Sequence, residues 1–178
     1  MSKFKIDKIR ILDKKVSKNL WRYLGQCFLA TLTILAVLLF LDVLTETAII
    51  AALGASAFIV FTMPRTYSSD PRRLIGGYIV GILVGTLFDQ FSILEQTRYL
   101  FFNETTSLVV FAAIAVGIAI FVMAITNTEH APAAGIALGL VINNWTLRTI
   151  IFILIAIIWM ASVRKILKPY IIDLISPI

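Results

Sequence analysis

The sequence predicts an all-α membrane protein, a bundle of about six transmembrane helices with an N-terminal amphipathic interfacial helix. Three observations carry this reading. Of 178 residues, 60% are hydrophobic and only 15% charged. The mean hydropathy is +0.95. Six apolar runs with short polar connections use up nearly all of the chain. A hydrocarbon core about 30 Å thick needs roughly 20 helical residues. Runs 23–44 and 107–126 meet that length easily, and 47–63 is short but adequate. Run 74–88 reaches it by extending past Asp89 toward Leu94, while 149–163 is short but flanked by Trp145 and Trp159, aromatics expected near span ends. Run 132–142 covers about half a bilayer at 1.5 Å per residue. It is either a short buried helix leaning on Asn143, Asn144 and Trp145 or a re-entrant half-helix, which would reduce the count to five.

Basic residues separate these topologies, because cytoplasmic loops retain Lys and Arg. With six spans and both termini inside, the inner segments hold Lys3, Lys5, Lys8, Arg10, Lys14, Lys15, Lys18 and Arg22, then Arg65, Arg72 and Arg73, then Arg164, Lys165 and Lys168. That is 14 of the 16 basic residues. Arg98 and Arg148 fall outside, beside Asp42, Glu46, Asp89, Glu95 and Glu104. A re-entrant 132–142 would move Arg164, Lys165 and Lys168 outside, so six spans and a multi-pass cell-membrane location with cytoplasmic termini are expected. The net charge of +6 is thereby assigned to orientation, and no nucleic-acid partner is expected.

Three regions follow: a basic cytoplasmic segment 1–22, a single transmembrane domain 23–165 and a cytoplasmic tail 166–178. In the first, Ile6, Ile9, Val16, Leu20 and Tyr23 recur at helical spacing with lysines between them, the pattern of a helix lying on anionic headgroups. No small-residue cleavage site follows, so the segment is expected to be retained. Cys27 and His130 are single, which excludes an internal disulfide and a Cys/His metal cluster. No P-loop or GxGxxG fingerprint is present, and no cofactor is expected.

Gly77, Gly81 and Gly85 form a GxxxGxxxG stripe, and Gly135 with Gly139 repeats the spacing. Such stripes let another backbone approach closely, either in a homo-oligomer seam or inside one bundle. Each striped helix follows a polar break and opens on a proline, Pro71 after residues 64–70 and Pro132 after residues 126–131. In the six-span arrangement both breaks lie on one side and both helices point the same way, so two helix N-termini converge. Those N-termini favour anions, as in transporters. The candidate binding residues are Thr66, Ser68, Ser69, Arg72, Arg73, Asn127, Thr128 and His130, with Glu129 and His130 as candidates for proton coupling. Ordinary capped loops, with Arg72 and Arg73 as topology anchors, are the competing reading.

The run His130-Ala131-Pro132 followed by Ala133-Ala134-Gly135, after an apolar span and Asn127, resembles the signature of the HPP family of small integral membrane proteins. Pro64, Pro71-Arg72, Gly76-Gly77 and Gly81 resemble that family's other shared segment, and the likeness covers roughly residues 48–145. Ala131 stands where the His-Pro-Pro signature has its middle proline, a departure that weakens an expectation of rigidity at the break, while His130 and Pro132 remain. The resemblance implies a transporter, and plastid and cyanobacterial members are associated with nitrite movement.

The function expected is therefore a transporter or channel for a small inorganic anion such as nitrite. The alternative is a structural or regulatory membrane protein that assembles through the glycine stripes and does not transport. A membrane enzyme is the weakest reading, since a hydrolase needs a nucleophile, a base and an orienting group within reach, and His130 beside Glu129 supplies too little.

Overall fold

The computed structural model describes residues 14–38, 47–93 and 104–174. They form six helices: α1 (Lys14–Leu38), α2 (Thr47–Thr62), α3 (Pro71–Ile93), α4 (Glu104–Thr126), α5 (Ala131–Ile142) and α6 (Leu147–Leu167), with a 3-10 turn at Tyr67–Ser69. Three are long and apolar enough to cross a membrane, over Pro71–Ser92, Thr105–Thr126 and Leu147–Leu167, and α2 and α5 are shorter apolar helices. The chain is an all-α membrane protein.

Helix ends follow local chemistry. Pro64 disfavours helical geometry in the residue before it, so α2 stops at Thr62. Asp70 then starts α3: its Oδ1 accepts the Arg72 amide at 2.9 Å, and Pro71 fills the first turn, where no amide hydrogen is needed. At the end of α4, Asn127 takes a left-handed conformation (φ 56°). The Thr128 and Asn127 amides bond back to Met123 and Ala124 carbonyls at 2.9 and 3.4 Å, the paired bonds of a Schellman cap. Asn127 thus ends α4 rather than capping α5. A Thr146/Thr149 capping box opens α6.

α5 is the centre of the bundle. Ala133, Ala134, Ile136, Ala137, Gly139, Leu140 and Val141 are all buried, and α3, α4 and α2 pack around it. A helix apolar on every side belongs in such a place. Its closest neighbour is the glycine stripe of α3. A Cβ on Gly77 would lie 2.9 Å from His130 Cβ, one on Gly85 would lie 2.9 Å from Ala137 Cα, and one on Gly81 would collide with the Ala133 carbonyl oxygen. The second stripe faces α2, with Gly135 against Ala52 and Gly139 against Ile49. Both stripes are therefore internal seams covered by this chain's own helices.

The order of these contacts fixes direction. Gly77, Gly81 and Gly85 meet His130, Ala133 and Ala137 in turn, so α3 and α5 run parallel and begin side by side. Beyond α5 the extended segment reaches Trp145, whose Nε1 donates to Asp89 Oδ2 at 3.0 Å, near the far end of α3. From there α6 returns, and Arg164 bonds the Pro64 carbonyl and the Ser69 hydroxyl in the first break. The 132–142 segment therefore runs alongside α3 toward its far end, and the last turn of α6 comes back to the end where α5 began.

α1 is bent at Asn19 (φ −130°, ψ 22°), close to the expected junction of basic segment and span; residues Ile6 and Ile9 lie outside the described residues. Residues 168–174 pack against the bundle: Leu174 N donates to Thr62 O at 2.7 Å, Arg65 N donates to Asp173 Oδ1 at 2.9 Å, and Gln26 Nε2 donates to Phe61 O and Ile172 O at 2.6 and 2.9 Å. Arg22, Arg65, Arg72, Arg73, Arg164, Lys165 and Lys168 consequently share one end of the molecule. If that end is cytoplasmic, a cysteine replacing the exposed Lys168 in a Cys27→Ser background reacts with an impermeant maleimide only after the cells are opened. Labelling of intact cells would reverse the orientation.

Candidate functional site

The two breaks meet where α3 and α5 begin. Arg73, in the first turn of α3, is drawn across to the second break. Its Nη1 pairs with Glu129 Oε2, its Nη2 donates to Asn127 Oδ1 at 2.5 Å, and its guanidinium lies over the Tyr67 ring. The Tyr67 hydroxyl donates to the same Asn127 oxygen at 2.7 Å. The Arg73 side chain is 7% exposed and that of Glu129 46%, so the cation is enclosed while its carboxylate partner still touches solvent. The stacking and forked donation suit arginine and would not suit lysine.

Beneath this pair runs a second network. His130 Nδ1 lies 3.0 Å from the Ser68 carbonyl, Nε2 lies 2.8 Å from Ser56 Oγ, and Ser56 Oγ lies 2.7 Å from the Tyr78 hydroxyl. A carbonyl only accepts, so Nδ1 carries a proton. With a neutral ring, Ser56 donates to Nε2 and Tyr78 donates to Ser56, and every hydrogen on the chain has an acceptor. A charged ring would make Nε2 a donor too, leaving one hydroxyl hydrogen of the Ser56–Tyr78 pair without an acceptor in this network. Burial pushes the His130 imidazole below its ordinary pKa, against a smaller upward pull from the Ser68 carbonyl. The geometry therefore holds His130 neutral.

Ser56 and His130 sit at nucleophile-to-base distance, but Ser56 is 0% and His130 1% exposed. The serine oxygen is already shared with Tyr78. The pair ties the second break to α2.

Arg164, buried in the last turn of α6, closes the other side. Its Nε and Nη2 donate to Pro64 O at 3.1 and 2.8 Å, and Nη2 also reaches Ser69 Oγ at 3.2 Å. A cavity of about 290 Å³ opens between α4 and α5 beside Glu129, His130 and Ala131, walled by Ile120, Met123 and Ala134.

Of the sequence-derived candidates, Ser68, Ser69, Arg73, Asn127, Glu129 and His130 come together. The Thr66 hydroxyl turns back to Met63 O at 2.8 Å. The Thr128 hydroxyl pairs with Thr126 at 2.8 Å, and its methyl lies against Gly76. Arg72 is exposed, whereas Arg73 has the buried position. Ser56, Tyr67, Tyr78 and Arg164 escaped the sequence reading. Their signals were, in turn, a hydroxyl in an apolar helix, an aromatic inside the first break, a tyrosine directly after Gly77 and a basic residue read only for topology.

The model of the HPP transmembrane region matches residues 14–170. The chain belongs to the HPP family. Over 90 residues this HPP protein is 30% identical to a transmembrane protein of Dictyostelium discoideum, a match covering 51% of the chain and 28% of that relative's length. No solved structure matches the chain. The matched region takes in both breaks, the Arg73–Glu129 pair and the His130 network.

Proposed function

We propose that this HPP protein moves a small inorganic anion, nitrite or a similar one, and that the anion is recognised where α3 and α5 begin together. The observation that carries this is the enclosed Arg73 held by a half-exposed Glu129. A cation enclosed among α3, Tyr67 and Asn127 needs a counter-charge, and Glu129 supplies it. An incoming oxyanion offers the same forked acceptor geometry and takes the place of Glu129, which swings to water. The N-terminal ends of two parallel helices add positive potential, and the adjacent apolar cavity of about 290 Å³ reaches the site at Glu129. In this reading Ser68 and Asn127 shape the mouth, the buried Ser69 braces it through Arg164, and His130 orients the break instead of carrying the coupled proton.

Uptake into liposomes holding the purified protein tests this directly. Nitrite, nitrate, chloride and formate are compared with and without a pH gradient. Nitrite should enter faster than into protein-free liposomes. If none of the four enters faster, the non-transporting role is favoured, although its assembly could not use the glycine stripes, which α5 and α2 already cover.

A further inference from the structure

On the outside of the bundle, α1 and the segment after α6 enclose a groove of about 340 Å³. Arg22 stands at one end, Gly25, Phe28, Leu29 and Leu32 follow along α1, and Tyr170 forms part of the facing wall. Positions 22, 25, 29 and 32 fall on one helix face. From Arg22 to Leu32 the helix rises about 15 Å, half the thickness of a hydrocarbon core of about 30 Å. Trp21 and Tyr170 are 85% and 74% exposed, and such aromatics settle at headgroup level. That sets Arg22 at the depth of lipid phosphates and Leu32 near the bilayer centre.

The groove is built into the fold. Gln26 lies behind it, and its amide is committed to Phe61 O, Ile172 O and Ile172 N at 2.6, 2.9 and 3.4 Å, tying α1 to both neighbouring elements. A Cβ on Gly25 would meet nothing within 4 Å, so the space there is open. Arg22 is exposed and has no carboxylate within 4 Å among the described residues.

We infer that this groove is a binding site for one anionic phospholipid of the leaflet at the basic end, with the phosphate on Arg22 and an acyl chain along Gly25, Phe28, Leu29 and Leu32. The groove spans one leaflet from headgroup to midplane, and its single charge sits at the headgroup end. A lipid with net negative charge complements Arg22 and its basic surroundings, whereas a zwitterionic one brings a cation of its own to the same place.

Native mass spectrometry of the full chain in dodecyl maltoside, titrated with dioleoyl phosphatidylglycerol or dioleoyl phosphatidylcholine, reads this out. Phosphatidylglycerol should bind more tightly, and Arg22→Gln should weaken it about tenfold, the size of one lost charged hydrogen bond. Gly25→Phe, which fills the open space, should displace both lipids, and Leu32→Trp should do the same from the apolar end if Gly25→Phe misfolds. Equal binding of the two lipids by the wild type would overturn the assignment. So would full phosphatidylglycerol preference in Arg22→Gln and the filling variants, which would move the lipid to the basic N-terminal segment. A change in particle mass by light scattering with lipid binding intact would make the groove a protein contact instead.

Discussion

Gly81→Leu is expected to abolish the folded monomer. A Cβ at this position already collides with the Ala133 carbonyl oxygen and lies 3.4 Å from Ile136 Cβ, and leucine adds three more carbons in the same direction. Overpacking a core costs about 1–3 kcal/mol when side chains can give way. Here the obstacle is the backbone of α5, the helix on which α2, α3 and α4 all pack, so the cost exceeds that range. The variant should elute as aggregate from size exclusion in detergent. Gly117→Leu on α4, where a Cβ meets nothing within 4 Å, should elute as wild type does. A monodisperse Gly81→Leu with unchanged melting temperature would mean that α3 and α5 are not in contact.

His130→Leu should be nearly as damaging. It takes the donor from the Ser68 carbonyl and the acceptor from Ser56, and an unpaired buried polar group costs about 1–3 kcal/mol. His130→Gln keeps a donor and an acceptor and should fold. The two proteins then differ in their response to acid. The folded-state pKa of His130 lies below its unfolded value near 6.5, so the unfolded chain binds the proton first. Stability should be full above about pH 7 and should fall as pH drops through about 6.5 toward the folded-state value. Thermal melts at pH 7.5 and 5.5 should show a loss in the wild type that His130→Gln reduces. A wild type more stable at the lower pH would contradict the neutral network.

The sequence makes the spans legible because each apolar run answers to one physical demand, the thickness of the bilayer. Run 132–142 stayed ambiguous for the same reason. Twelve helical residues fall short of the core thickness, and the run's course along α3 and the return of α6 depend on long-range contacts such as Trp145–Asp89 and Arg164–Pro64. The proline-opened helices and the convergence of their N-termini were readable from Pro71, Pro132 and the direction of the spans. The partners inside the site were not. Ser56 and Tyr78 face His130 from 74 and 52 positions away in the sequence, and no local pattern marks such a pair. The choice between Arg72 and Arg73 depends on which side of α3 meets the second break, which is a matter of packing.

If Arg73, shared with Glu129, is the charge that recognises the anion, nitrite uptake into liposomes holding Arg73→Gln should reveal it. Glu129 is half exposed and stays hydrated without its partner, so the variant should remain monodisperse in detergent. Its uptake should fall by about tenfold or more, the loss of at least one charged hydrogen bond, while Arg72→Gln and Arg65→Gln, altered at exposed positions, retain most of theirs. Wild-type uptake by a folded Arg73→Gln protein would contradict the claim.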